Sequence, residues 1–133
     1  MIVVAVVGVI AALAYPSYVD SVRKGKRSDA QSALMEVAQK EETYYARNAT
    51  YTADMRLLGY ANQNWNNVKG GSSKVYYQAK VSAADANHYI LLARPKAGTD
   101  QVNDTVVRFR LDSSGKRDYK TSDNTWHLGW NAH

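Results

Sequence analysis

From Met1 through Val19 the chain carries no charged residue, and positions 1–14 hold only aliphatic residues, alanine, methionine and a single glycine. As a helix such a run reaches about 28 Å, close to the roughly 30 Å hydrocarbon core of a bilayer. What remains, roughly 110 residues, builds only a small core, with no interior able to enclose a helix that is apolar on every side. A cleaved signal peptide fits poorly, because it begins with basic residues and ends at a small-residue cleavage site. Here Met1 is followed at once by Ile2-Val3-Val4, and the run ends in Tyr15-Pro16-Ser17-Tyr18. The segment therefore reads as a membrane anchor, with Ile2, Val3, Val4, Val6, Val7, Val9, Ile10 and Leu13 as the side chains that need lipid or other apolar helices around them. Arg23, Lys24, Lys26 and Arg27 follow directly. By the positive-inside rule they draw the rest of the chain to the cytoplasmic side unless something more basic precedes Met1.

After Pro16 the apolar pattern becomes one-sided. Ala30, Ala33, Leu34, Val37, Ala38, Tyr44 and Tyr45 recur at steps of three and four, with Asp29, Gln31, Glu36, Gln39, Lys40 and Glu42 between them. One helix from Met1 to about Tyr45 is predicted, kinked or locally opened at Pro16 by the missing N–H, with Gly8 as a second weak point. Residues 61–73 read as loop from their Asn, Gly and Ser content. Strands are predicted over 74–81, 87–93, 105–111 and 116–120, with a hairpin turn at Asp112-Ser113-Ser114-Gly115. The fold class is α+β: a long kinked N-terminal helix packed on a small antiparallel sheet, Ala30, Leu34, Val37 and Tyr44 facing Tyr77, Tyr89, Leu91, Val107 and Phe109. The expected division is an anchoring half-helix over 1–22 and a head over 23–133. Within the head, the amphipathic half-helix runs to about 50, a loop spans about 51–73, the sheet about 74–120 and a C-terminal loop 121–133.

Composition removes most chemistry. Without a single cysteine the chain has no disulfides, thiolate metal sites or thiol nucleophiles. His88, His127 and His133 lack metal-ligand spacing, and Asp100, Asp104 and Asp112 do not match a helix-loop-helix calcium loop. Phosphate loops, nucleophile elbows and paired-carboxylate motifs are missing, so neither enzymatic activity nor a cofactor is predicted. The net charge of +5 is spread along the chain rather than gathered in a basic arm. Nucleic acid is the one charged partner worth weighing: Lys116, Arg117, Lys120, Trp126 and Trp130 lie close together and could form a basic stacking surface, diluted by Asp112, Asp118 and Asp123.

The segment MIVVAVVGVIAALAYPSYVDSVRKGKRSDAQ resembles the N-terminal helix of the type IV pilins. Glu42-Thr43-Tyr44-Tyr45-Ala46-Arg47-Asn48, Thr50-Tyr51-Thr52 and the run YILLARPKAGTDQVNDTVVRFRLDSSGKR are similar to later stretches of the PilE-like minor pilins, so the resemblance covers nearly the whole chain. It implies the pilin fold and a structural role: anchorage in the bacterial inner membrane, then assembly with other pilin subunits by the pilus machinery. The apolar helix would form the filament core, and the stretch between Gly8 and Pro16 would extend on leaving the membrane. Arg23, Lys24, Lys26 and Arg27 would sit at the headgroups or pair with Asp20 or Asp29 of a neighbouring subunit. Adhesion, motility and DNA uptake would belong to the fibre. A type II secretion pseudopilin and a DNA-receptor pilin stay open as alternatives.

Two departures accompany the resemblance. The family's leader, its methylated phenylalanine and the glutamate after it would all lie upstream of Met1, and such a leader also accounts for the orientation of the head. The cysteine pair that often closes the C-terminal region is missing, with Thr125 standing where the second cysteine is common, so packing is expected to hold the end of the chain.

Overall fold

The computed structural model describes residues 1–131. Its elements are α1 (Ile2–Asn48), β1 (Asn66–Val68), β2 (Tyr77–Ala84), β3 (Tyr89–Pro95), β4 (Val106–Asp112), β5 (Arg117–Thr121) and β6 (Trp126–Leu128), with 3-10 turns over Met55–Leu58 and Asp100–Asn103. The six strands form one sheet in sequence order, every neighbouring pair antiparallel. Such a meander needs only short connections.

The helix runs through Pro16 without a break, so the expected local opening is not a feature of this conformation. It also continues beyond Tyr45 to Asn48, where Ala49 adopts a left-handed conformation (φ 56°) and donates its N–H to the Tyr45 carbonyl at 2.8 Å. Glycine is the usual residue in such a cap, and its absence from the sequence hides the stop signal.

Ala30, Ala33, Leu34 and Val37 form one buried stripe on α1. They pack on the inner sheet face of Tyr77, Ala79, Val81, Leu91, Ala93, Phe109 and Leu111, closed at the edges by Met55, Leu58, Val68 and Trp130. The expected contact set holds except at one position: half-buried Tyr44 packs against the core, but Val106 rather than Val107 points inward. The register of β4 against β5 shifts between Val106 and Arg108. That bulge turns the alternation over by one residue, which strict counting back from Phe109 misses.

β1 falls inside the segment read as loop and β6 inside the predicted C-terminal loop. Both are three-residue edge strands without a hydrophobic signature, the form in which natural sheets blunt their edges. The Asn-rich loop is organised by buried Asn66, whose side chain accepts from the Asn62 N–H and donates to the Asn62 and Asn64 carbonyls, all at 2.8 Å. The Asp112 turn forms as predicted, its carboxylate accepting from the Ser114 and Lys116 N–H groups. The chain end is tied by Trp130, whose indole N–H donates to the Arg110 carbonyl at 3.1 Å.

Two buried polar groups tie the helix to the rest of the head. Arg27, expected at the headgroups or facing a neighbouring subunit, is instead 4% exposed and forms a two-pronged pair with buried Asp104, at 2.7 Å from Nε and 2.5 Å from the second nitrogen. Gln101 Nε2 completes the pin by donating to the Arg23 carbonyl and to the Tyr77 hydroxyl, each at 2.8 Å. Asp29, likewise expected to serve a neighbour, is buried under the chain's own loop, accepting from the Gly71 N–H and the Ser72 hydroxyl. Next to it the backbone passes so close that a Cβ on Gly70 would stand 2.4 Å from Asp29 Cα.

At the other end of the head, Glu41 is wholly buried, with one oxygen accepting from the Thr52 N–H at 3.1 Å and the other without a partner among the described residues. Burial pushes its carboxyl up from 4.5 to about 7, against the lowering effect of the Thr52 bond and with a smaller upward push from Glu42.

Asp104→Ala leaves the Arg27 guanidinium buried and uncompensated, and is expected to cost about 3–5 kcal/mol in chemical denaturation of the detergent-solubilised chain. The double variant Arg27→Met with Asp104→Leu should recover most of that loss. For Glu41 the folded chain holds a proton that the unfolded chain releases, so stability falls as pH rises from 4.5 to about 7. Glu41→Gln should therefore match the parent near pH 4 and exceed it by about 3 kcal/mol at pH 8.

Candidate functional site: an uncovered helix and a cationic sheet face

The first surface is the start of α1. Ile2, Val3, Val4, Val6, Val7, Val9, Ile10 and Leu13 are between 50% and 81% exposed, because the head packs only against the second half of the helix. By length and composition this helix can cross a membrane. A Cβ on Gly8 would meet nothing within 4 Å, so no packing inside the chain calls for glycine there.

The four basic residues that follow are separated by the fold. Arg23 reaches Asp100 with two nitrogens, at 2.8 and 3.0 Å, and Asp20 with a third at 3.3 Å. Arg27 is buried with Asp104. Lys24 is exposed, and Lys26 lies 4.0 Å over the ring of Tyr76. Neither lysine is in an ion pair among the described residues. Arginine's planar fork suits paired contact with the Asp100 and Asp104 carboxylates, while lysine stays at the surface.

The second surface is the sheet face turned away from α1. Since alternate residues share a face, the partners of the inward set put Lys80, Leu92, Arg94, Arg108, Arg110, Asp118 and Lys120 outward. In register, Lys80 faces Leu92, Leu92 faces Arg110, Arg110 faces Asp118 and Arg108 faces Lys120. A tryptophan stands on either side of this strip. Lys80 Nζ and Arg94 Cζ lie 5.1 and 4.0 Å from the Trp65 ring centroid, and Arg110 Cζ and Lys120 Nζ lie 4.3 and 5.7 Å from that of Trp126. Five cations thus share the face with two acids: Asp118, which is buried and bonded to Arg110, and Asp112, which faces Ile90 at the turn end. The Arg108 Nε is buried without a partner among the described residues. The rings hold the cations over their π faces, which orders guanidinium and ammonium groups for phosphate.

The sequence-predicted basic patch does not form as one surface. Lys120 and Trp126 join the outer face, and Lys116, at the end of the β4–β5 turn, reaches the same face with its Nζ 3.8 Å from Asp118. Arg117 is on the helix side, 4.9 Å over the ring of buried Trp130. The reason is the period of the strand: with residues two apart sharing a face, odd-numbered Arg117 and even-numbered Lys120 are sent to opposite sides. Trp65, Lys80, Arg94, Arg108 and Arg110 were missed because the segment before β1 and the separate strands β2, β3 and β4 supply them. Strict alternation of Arg108 and Arg110 was the only local signal.

Among the described residues, no group of three or more His, Asp or Glu is placed to hold a metal ion. Asp100 and Asp104 face arginines and Asp112 closes its own turn. His88 stands exposed beside Asp85 and His127 is stacked on Tyr119 at 4.9 Å, while His133 lies outside the described residues.

The fold is that of a type IV pilin. The non-core minor pilin PilV of Neisseria meningitidis superposes with a TM-score of 0.60 at 20% identity, over 80% of this chain and 94% of that one. A type IV pilin from Shewanella oneidensis matches at 28% identity over 71% of this chain and 89% of that one, with a TM-score of 0.46. The family model of "type IV minor pilin ComP, DNA uptake sequence receptor" matches residues 16–105, more than half of the chain, and the chain belongs to that family of type IV minor pilins. The match ends before β4, so Arg108, Arg110, Lys120 and Trp126 lie beyond it. The type IV major pilin PilA of Myxococcus xanthus strain DK1622 is 25% identical over 118 residues, 86% of this chain. The chain spans 50% of that protein's length.

Proposed function

We propose that this pilin is a structural, minor subunit of a type IV pilus. Residues 1–22 anchor it in the bacterial inner membrane with the head, 23–133, in the periplasm. After assembly with other pilins by the pilus machinery, the same apolar helix becomes part of the filament core. The observation that carries the reading is the helix itself: one half is wholly uncovered and apolar, and the other half is the core of the head. Lipid and neighbouring apolar helices are similar solvents, so the exposed half is satisfied in both states. Gly8 and Pro16 supply the weak points at which the intervening segment can lose helical hydrogen bonds on extraction.

The cationic sheet face supports a second role, nucleic-acid capture, and the receptor named by the family model acts on DNA. The arrangement suits phosphate contact more than base stacking, since the tryptophan faces already carry cations.

The primary test is the intact mass and N-terminal sequence of the native protein in the inner membrane and in material sheared from cells. A processed, methylated N-terminus with protein in the sheared fraction is the expected outcome, and a membrane-confined protein that begins at Met1 overturns the reading. For the second role, duplex binding by the detergent-solubilised chain should weaken steeply with salt. Neutralising Arg108 and Lys120 should lower the log–log salt slope by about 1 per contact, while Arg117→Gln leaves it unchanged. A slope indifferent to the outer face removes that role.

A further inference from the structure

The sheet has a defined lower end. At Tyr77 the Gln101 side chain links β2 to the helix at Arg23, whereas at the opposite end the Tyr51 N–H donates to the Asp85 carbonyl at 3.1 Å. The segments closing the sheet at its Tyr77 end, 69–76, 95–105 and the 121–125 turn, therefore face back along the helix towards Val19. The acids there are occupied: Asp100 by Arg23, Asp104 by Arg27, Asp123 by Thr121 and Thr125 of its own turn, and Asp29 on the helix by Gly71 and Ser72. Asp20 shares Arg23.

Their lysines are not so occupied. Lys26 and Lys74 both approach the ring of half-buried Tyr76, at 4.0 and 5.6 Å, and the Lys96 N–H donates to the Tyr76 carbonyl at 2.8 Å. Lys24 stands two residues, about 3 Å of helix, nearer the apolar segment. Beside them Val102 is 48% exposed on the 3-10 turn that Asp100 and Gln101 hold against the helix. Lys26 is only about 10 Å of helix beyond Val19, and the headgroup zone is about 5–8 Å deep on each side of the hydrocarbon. A lysine stem spans the remaining gap.

We propose that this underside is a docking surface for anionic phospholipid headgroups, with Lys24, Lys26, Lys74 and Lys96 meeting phosphates and Tyr76 and Val102 entering the interface. The head then rests on the membrane in one orientation before assembly. Point-charge lysines around an interfacial tyrosine, continuous with a membrane-crossing helix, match an anionic bilayer surface. The proposal rests on the anchored reading above.

The chain has no cysteine, so single probes can be placed cleanly. Full-length protein carrying a spin label at Ala97→Cys on the underside, Ala86→Cys at the opposite end of the sheet, or Leu13→Cys in the anchor would be reconstituted into vesicles. One set is phosphatidylcholine alone and the other contains about a quarter phosphatidylglycerol. The label at 97 should move from water to headgroup depth only in the anionic vesicles, with 86 aqueous and 13 in hydrocarbon throughout. Raising salt to about 1 M, where the Debye length is about 3 Å, should return it to water. Lys74→Gln and Lys96→Gln should each reduce the docked fraction roughly fivefold. An aqueous label at 97 in both vesicles with 13 in hydrocarbon overturns the docking alone. An aqueous label at 13 overturns the anchor and the docking together.

Discussion

One unbroken helix must satisfy two surroundings, and every other feature of the molecule follows from where the change between them falls. Up to Val19 the helix is apolar on all sides and no part of the head covers it. From Ala30 it offers a single stripe of small and branched residues, onto which the sheet closes. The small side chains of Ala30 and Ala33 let the sheet approach closely, and large Tyr77 and Phe109 fill the space from the other side. Between the two regions stands the Arg27–Asp104 pair, which fixes the height at which the sheet grips the helix.

That pair illustrates how the fold sorts charge. Arg23 and Arg27 turn towards carboxylates brought by a loop 77 residues away, while Lys24 and Lys26 keep their ammonium groups at the surface. A buried ion pair is weak evidence of net stability, since its desolvation offsets much of its attraction. Its value here is in register: only one seating of the Asp100–Asn103 turn against the helix satisfies both arginines. A similar sorting operates across the sheet, where the inner face is apolar and the outer face collects cations from four strands. Glu41 is the exception, a carboxyl enclosed with one hydrogen bond.

Much of this was legible in the amino-acid order, for physical reasons. A run without charge is a one-dimensional property, so the apolar segment and its end near Asp20 needed no folding to be seen. The same holds for the three-and-four spacing of Ala30, Leu34 and Val37 and for the Asp112–Gly115 turn, since each depends on neighbours within a few residues. What failed depended on pairing. The bulge that exchanges Val107 for Val106, and the edge strands β1 and β6 without hydrophobic patterns, exist only because a partner strand lies alongside.

The candidate site divides along the same line. The sequence by itself determined that an apolar helix would be left over and that the chain offers no thiol chemistry. Only the tertiary structure decided which charges face outward. Arg27 and Asp104 are too far apart along the chain for any local rule to join them, yet their burial together removes one cation from the surface. Arg117 and Lys120 are neighbours in sequence, and the two-residue period of the strand sends them to opposite faces. Charge placement is set by long-range register, and register is what a linear reading cannot supply.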